Sequence, residues 1–317
     1  MYNAISLIIP CYNEEESIDI LYDELKKVTG KMPQYNFEFI FVDDGSKDKT
    51  LEKIKEKSAL DGRIVYVEFS RNFGKESAML AGFKAARGDA VAVIDADMQD
   101  PPSLLPEMMD ILETGEYDSV ATRRVSRKGE PKIRSFFARQ FYKLINKITD
   151  VDIADGARDF RLMNRKMVDA MLEVEEYNRF TKGIFGWVGF KTKWYEFENV
   201  ERAAGETKWS TWGLFKYALQ GVINFSQSPL KAAAFLGIFF TFVSFLAIIF
   251  LMVRKFIWGD STPGWPSLAC IIVFVSGIQL FCIGIIGEYL AKTYMEVKKR
   301  PHYIVSDTNN EEIDRVG

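Results

Sequence analysis

The sequence predicts an α/β protein, a mainly parallel sheet wound with helices, followed by a C-terminal two-helix transmembrane hairpin. Three observations predict this. Short apolar segments rich in β-branched residues alternate with helix-sized segments in the first third of the chain. Three of those strand-like segments end in polar clusters, as open α/β sheets do where they bind ligands. Near the C-terminus, Ala232 to Val253 and Ser267 to Gly287 carry no charge, and the first would span about 33 Å as a helix.

Taken in order, Ile5 to Pro10 reads as a strand, and Asn13 with Glu16 three residues later reads as a capping box for the next helix. Glu38 to Val42 is a second strand ending in Asp43-Asp44-Gly45-Ser46, with Asp48 placed to cap a helix. Ile64 to Phe69 is a third strand, followed by Ser70-Arg71-Asn72-Phe73-Gly74-Lys75 and a helix to Ala86 that Gly88 is placed to stop. Ala90 onward is a fourth strand, running into Asp95-Ala96-Asp97 and Pro101-Pro102, with a helix over Ser103 to Leu112. In a parallel sheet the clusters at residues 10–14, 43–46 and 95–97 emerge on one edge and form one pocket.

Beyond Thr122 the chain turns basic. Nine lysines and arginines between Arg123 and Lys147 face one acid, Glu130, with aromatic residues interleaved. Pro131 to Lys147 reads as a helix, apolar on one face and basic on the other, suited to an anionic leaflet, the plainer alternative being an amphipathic helix on the sheet with solvated lysines. Asp159 to Met163 is a short strand-like segment, residues 201–210 form a polar loop, and Trp212 to Phe225 reads as an aromatic-rich interfacial helix. Met1 to Pro10 lacks the basic start of a signal peptide. Lys216 and Lys231 precede the first uncharged run, while Lys292, Lys298, Lys299 and Arg300 follow the second. The positive-inside rule therefore places the N-terminal region in the cytoplasm. Ser306 to Gly317 is polar and expected to be a mobile tail.

Composition excludes several chemistries. The net charge of −3 argues against a nucleic-acid binder. Three cysteines without close spacing argue against a disulfide framework or a zinc site. The single histidine, His302, leaves acid–base work to Asp, Glu, Lys or Tyr. Neither a P-loop nor a dinucleotide fingerprint follows any strand. Asp95 and Asp97, two apart at a strand end, can face one spot, where Mg²⁺ or Mn²⁺ with substrate phosphates would relieve their repulsion. An acidic turn capping a helix is the plainer alternative.

Six ordered blocks over residues 5–210 together resemble the family-2 inverting glycosyltransferases of GT-A fold, in the polyprenyl-phosphate branch that includes dolichol-phosphate mannose synthases and bacterial polyprenyl-phosphate glucosyltransferases. They are Ile8-Ile9-Pro10-Cys11-Tyr12-Asn13-Glu14-Glu15, Val42-Asp43-Asp44-Gly45-Ser46-Lys47-Asp48, Ser70 to Lys75, Asp95 to Pro102, Asp159-Phe160-Arg161-Leu162-Met163, and Arg202-x-x-Gly205-x-x-Lys208. Ala157-Arg158 departs from the pattern, where a glycine is expected. The resemblance implies a GT-A domain (Rossmann-like, mainly parallel sheet) over 1–210, an interfacial helix over 211–231, the transmembrane hairpin over 232–291 and a cytosolic tail over 292–317. It implies single-sugar transfer from a nucleotide sugar, UDP-glucose or UDP-N-acetylglucosamine first, to undecaprenyl or another polyprenyl phosphate, with inversion to a β-linked product.

By the same resemblance, Pro10, Tyr12, Glu14 and Asp44 line the nucleoside pocket, with Asp44 accepting from the base. Arg71 and Lys75 hold that pocket and the donor. Asp95 contacts the ribose or sugar, Asp97 holds Mg²⁺ or Mn²⁺ against the diphosphate, and Gln99 sits beside them. Asp159 acts as base or positioning carboxylate, its plainer role being an ion pair with Arg161 or another nearby cation. Arg202 and Lys208 grip the acceptor phosphate. The implied partners are the nucleotide sugar, the polyprenyl phosphate and membrane lipid, with homo-oligomerisation left open. The alternatives are a GDP-mannose-dependent synthase and a catalytically inactive membrane-anchored nucleotide-sugar-binding protein.

Overall fold

The structure is a computed structural model and describes residues 2–124, 156–197, 228–258, 264–313 and 315–317. The predicted helices over 131–147 and 212–225, and the loop over 201–210 with Arg202 and Lys208, lie outside the described residues. The chain divides into two compact units, one of residues 1–221 with 300–317, the other of residues 222–299.

The first unit is built on one eight-stranded sheet. In chain order its strands are β1 (Ala4–Cys11), β2 (Asn36–Asp43), β3 (Ile64–Phe69), β4 (Ala90–Val93), β5 (Ser119–Arg124), β6 (Ala157–Asn164), β7 (Thr192–Phe197) and β8 (Val305–Thr308), and across the sheet they run β7-β5-β6-β4-β1-β2-β3-β8. The central strands β4, β1, β2 and β3 are parallel. Their apolar runs are continuous because helices cover both faces. Leu7, Ile9, Phe39 and Phe41 are fully or almost fully buried against α1 (Ile18–Thr29) and α4 (Leu105–Glu113). On the same face, α2 (Thr50–Leu60) adds Ile54. Ile8 points to the opposite face and meets α3 (Lys75–Ala85).

Parallel pairing stops at β4. β6 runs antiparallel to both β4 and β5, and β7 returns parallel to β5. The sequence reading found only the core of β6 and missed β5 and β7. β5 mixes buried and arginine positions, and β7 is mostly half-exposed, so neither shows a clean apolar period.

Three local expectations change. Asn13 does not cap α1, whose N-cap is Ser17; its backbone is left-handed (φ 54°) and its side chain accepts from Lys47 N–H at 2.8 Å. Gly88 does not stop α3, which ends at Ala85. A Cβ at Gly88 would come within 2.7 Å of the Ser6 backbone nitrogen, so its role is close approach to β1. Residues 306–317 are not a mobile tail. β8 pairs antiparallel with β3, Lys55 bridges Glu68 and Asp307, and Asn309 bonds the Tyr66 N–H and the Ile64 carbonyl. Pairing through backbone and polar side chains leaves no apolar period, yet it covers what would be an open sheet edge.

The second unit contains α7 (Ser228–Trp258) and α8 (Trp265–Lys298), which follow α5 (Arg165–Leu172) and α6 (Thr181–Trp187) in chain order. Within them, Pro229–Ala247 and Phe274–Lys298 are long and apolar enough to cross a membrane. Phe235 is 69% exposed and Ile283 62%, which is the opposite of a soluble core hairpin.

The Asp44–Gly45 turn is tightly packed where the parallel strands end. Gly45 has φ +68°, and a Cβ there would sit 2.5 Å from the Arg71 carbonyl carbon. Gly45→Ala is expected to destabilise the first unit by roughly 2 kcal/mol. That corresponds to a melting midpoint lower by about 4–8 °C, and an unchanged thermal unfolding curve would contradict this packing.

Candidate active site

The C-terminal ends of β1 and β2 are laced together. Asp44 N–H donates to the Cys11 carbonyl (2.9 Å), Asn13 N–H to the Ser46 hydroxyl (2.9 Å) and Glu14 N–H to the Thr50 hydroxyl (2.7 Å). Tyr12 and Pro10 are half-buried in this corner. The loop after β3 joins the same edge. Asp44, 3% exposed, accepts from Phe73 N–H at 2.6 Å and Gly74 N–H at 2.9 Å. Burial pushes its carboxyl up to about 6, against the pull of those two amides. A carboxylate has about four lone-pair sites, and the three bonds from this loop leave one to offer a ligand. Arg71 lays its guanidinium over the Phe73 ring, 3.9 Å from its centre.

The second half of the site lies past β4 and at the start of β6. Val93 pairs with Arg161, so continuing both strands toward the sheet edge brings Asp95 beside Asp159. Lys75, the first residue of α3, bridges them, with Nζ 2.6 Å from Asp95 and 2.5 Å from Asp159. Lys182 on α6 approaches the other Asp159 oxygen at 3.4 Å. Glu76 accepts from both the backbone N–H and the hydroxyl of Thr181, which clamps α3 to α6 and keeps the two lysines together. Burial alone would raise the Asp159 carboxyl, but Lys182 and Lys75 outweigh it and hold it well below the usual carboxylate range. Asp159 therefore pairs with Lys75 and Lys182, not with Arg161. Arg161 lies buried between the Phe185 and Trp194 rings and donates to the Ser119 and Thr192 hydroxyls.

Asp97 and Gln99 sit in the turn that follows. Asp97 accepts from Gln99 N–H at 3.1 Å, and Met98 between them is left-handed (φ 60°). The turn is braced from behind by Arg158, whose Nε donates to Asp100 at 2.7 Å and whose Nη2 donates to the Gln99 side chain at 3.3 Å. Asp100 is fully buried, with one oxygen lacking any partner, and burial pushes its carboxyl up to about 6 although Arg158 opposes this. Among the described residues no three Asp, Glu, His or Cys side chains gather as a closed metal cage. The oxygen-only donors at this edge suit an ion that takes one or two carboxylates and completes its shell with phosphate and water, as Mg²⁺ does.

Comparison with known proteins places this geometry. The family described as glycosyl transferase family 2 matches residues 6–172, which run from β1 to the end of α5. The chain belongs to glycosyl transferase family 2. It is a glycosyltransferase with a GT-A fold. It is 45% identical over 305 residues to CsbB of Bacillus subtilis (strain 168), a protein that carries a glycosyltransferase name; the match covers 96% of this chain and 92% of that one. It is 40% identical over 301 residues to the prophage bactoprenol glucosyl transferase homolog of Escherichia coli (strain K12), with 95% and 98% covered. It is 39% identical over 305 residues to the bactoprenol glucosyl transferase of Shigella phage SfII, with 96% and 98% covered. Among solved structures, the mannosyltransferase PcManGT from Pyrobaculum calidifontis in complex with GDP-Man and Mn²⁺ shares the fold. Its TM-score is 0.50 at 17% identity, covering 91% of this chain and 87% of that one.

In this family-2 enzyme the structure gathers Asp44, Arg71, Pro10, Tyr12 and Glu14 around the β1–β2–β3 ends, and Lys75, Asp95, Asp97, Gln99 and Asp159 around the β4–β6 ends. Sequence reasoning missed Asp100, Arg158, Glu76 and Lys182. Arg158 carried a signal, as the departure from the family pattern. Glu76 and Lys182 are ordinary residues until α6 folds back onto α3, and Asp100 until β6 brings Arg158 beside it.

Asp159 has a folded pKa below its unfolded value near 3.8, so its pairing adds stability above that pH and loses it as pH falls through the folded value. In Lys75→Met, Asp159 would lose one of the two lysines that hold it ionised and would face Asp95 directly, so its folded pKa would rise and the stability it contributes above the ordinary carboxylate value would be lost. Lys75 is 42% exposed, so solvent screening limits the expected cost to roughly 1–2 kcal/mol. The melting deficit against wild type is expected to be larger at pH 7 than near pH 3, where Asp159 starts to take up its proton in the unfolded chain; equal deficits would contradict the charge-bridging role.

Proposed function

We propose that this enzyme transfers one glucosyl unit from UDP-glucose to a polyprenyl phosphate at the cytoplasmic face of the membrane, with inversion to a β-linked lipid phosphate sugar. One observation carries the reading: similarity to bactoprenol glucosyl transferases runs end to end, with 98% of each relative covered, so it includes the apolar hairpin as well as the catalytic domain. UDP-N-acetylglucosamine is the nearest competing donor, since the two sugars differ in one substituent.

Chain connectivity supports the membrane assignment. Both ends of the apolar unit lead into the first unit, β8 being hydrogen-bonded in its sheet. The unit therefore crosses a bilayer an even number of times, which matches two spans. Lys231 before the uncharged run from Ala232 to Val253, and Lys292, Lys298, Lys299 and Arg300 after the uncharged run from Ser267 to Gly287, favour the cytoplasmic side for both flanks and the catalytic domain.

In this reading Pro10, Tyr12, Glu14 and Asp44 receive the nucleoside, Asp44 offering its remaining lone pair to a base N–H. Arg71 and Lys75 bring positive charge to the donor. Asp95 orients the sugar side and Gln99 the metal side. Asp97 would hold Mg²⁺ or Mn²⁺, which when bound supplies Lewis-acid stabilisation to the departing diphosphate. The acceptor phosphate is largely ionised near neutral pH, because its second pKa is about 6. No strong base is needed, and Asp159, acidified by its two lysines, serves as a positioning carboxylate. Arg202 and Lys208 grip the acceptor phosphate while the lipid tail remains in the leaflet.

Membranes containing the enzyme, given a panel of labelled UDP-glucose, UDP-N-acetylglucosamine and GDP-mannose with undecaprenyl phosphate, are expected to label the lipid from UDP-glucose and to yield a β-anomer by NMR. Labelling from GDP-mannose alone, or from none, would overturn the reading. Asp97→Ala is expected to lose transfer by roughly 100-fold or more with an unchanged circular-dichroism spectrum. Full activity of that variant in chelator would sink the metal assignment.

A further inference from the structure

We propose that Tyr303, beside the C-terminal strand and far outside the family match at residues 6–172, is a positioning residue for the nucleotide half of the donor site. The proposal rests on the reading above that Asp44 and Arg71 border that half. Tyr303 is 1% exposed and stacks on Phe69 at the end of β3, ring centres 4.9 Å apart and planes 12° from parallel. Phe69 in turn meets Phe73 edge to face at 5.8 Å and 89°. Phe73 links two contacts of its loop: its ring supports the Arg71 guanidinium, and its N–H, together with that of Gly74, holds Asp44. An aromatic ladder thus runs from Tyr303 through Phe69 and Phe73 to Arg71.

The backbone follows the same path. Ser70 N–H, the first of the loop, donates to the Ile304 carbonyl at 2.9 Å, and Phe69 pairs with Val305 just where the β3–β8 register shifts. The loop from Ser70 to Gly74 lies between β3 and α3, outside the paired strands. Its position is set by Asp44, by close approach to Gly45 and by this aromatic support. Removing the Tyr303 ring takes the face contact from Phe69 and frees Phe73, and Arg71 moves with the ring beneath it. The Lys75–Asp95–Asp159 cluster shares none of the ladder's ring contacts. The effect therefore falls on donor affinity and not on the chemical step.

The test uses the full-length membrane enzyme, with UDP as the probe, and the variants Tyr303→Phe, Tyr303→Leu and Tyr303→Ala. Leu fills most of the space without stacking and guards against loss of folding in the Ala variant. Ala and Leu are expected to weaken UDP binding and raise the donor KM by roughly three- to tenfold, with kcat and the polyprenyl-phosphate KM within about twofold of wild type. Phe, which keeps the ring, is expected to bind UDP like wild type. UDP affinity unchanged in folded Ala and Leu variants, or Phe failing as badly as Ala, would overturn the inference. So would a fall in kcat that tracks the folded fraction while KM stays constant. A wild-type enzyme that does not bind UDP would instead sink the donor assignment, and this inference with it.

Discussion

Carboxylates crowd one end of this sheet, and Lys75 is what allows them to be there. Asp95 and Asp159 come from neighbouring strands that run in opposite directions, and without a cation between them their repulsion would push both ends apart. The lysine is placed by the first turn of α3, and α3 is pinned to α6 through Glu76 and Thr181. A change of strand direction, from parallel β4 to antiparallel β6, is thus tied to a helix–helix clamp and to a charge bridge. The proposed donor site lies at the point where all three meet.

The same arrangement explains how a chain with one histidine, His302, can run this chemistry. Lys75 and Lys182 favour the charged form of Asp159, in keeping with the positioning role proposed for it. A phosphate nucleophile that is already ionised asks for positioning and charge complementarity, not for proton abstraction. The division between the two halves of the site follows. Asp44 is buried and held by backbone amides among half-buried neighbours, which suits recognition of a nucleoside. Around Asp95 and Asp159 the groups are ion-paired and partly solvated, which suits a charged, transient diphosphate.

The apolar hairpin is framed by the catalytic unit on both sides in sequence. The chain leaves the sheet, makes two long helices and comes back to pair with β3. That return covers the edge of β3, which would otherwise expose a row of unpaired backbone groups. It also buries Tyr303 against the strand that leads into the Arg71 loop. Segments on either side of the hairpin therefore pack against each other, Tyr303 on Phe69.

Much of this was legible in the amino-acid order. The four parallel strands were readable because strands covered on both faces are continuous apolar runs. The polar clusters at residues 10–14, 43–46 and 95–97 share one edge because parallel strands must end together, and the two apolar spans were plain from length and lack of charge. What local pattern could not show were contacts between distant polar residues. β5, β7 and β8 are half-exposed or polar strands defined by their partners. Asn13 spends its side chain on Lys47 N–H instead of a helix cap, and Lys182, Glu76 and Arg158 acquire roles only when α6 and β6 come to rest beside α3 and the Asp97 turn. Periodicity records how a residue meets the core of its own segment. Which carboxylate meets which lysine, and that Tyr303 backs Phe69 across the length of the chain, was decided only by tertiary packing, because such pairs lie far apart in sequence and leave no repeat to read.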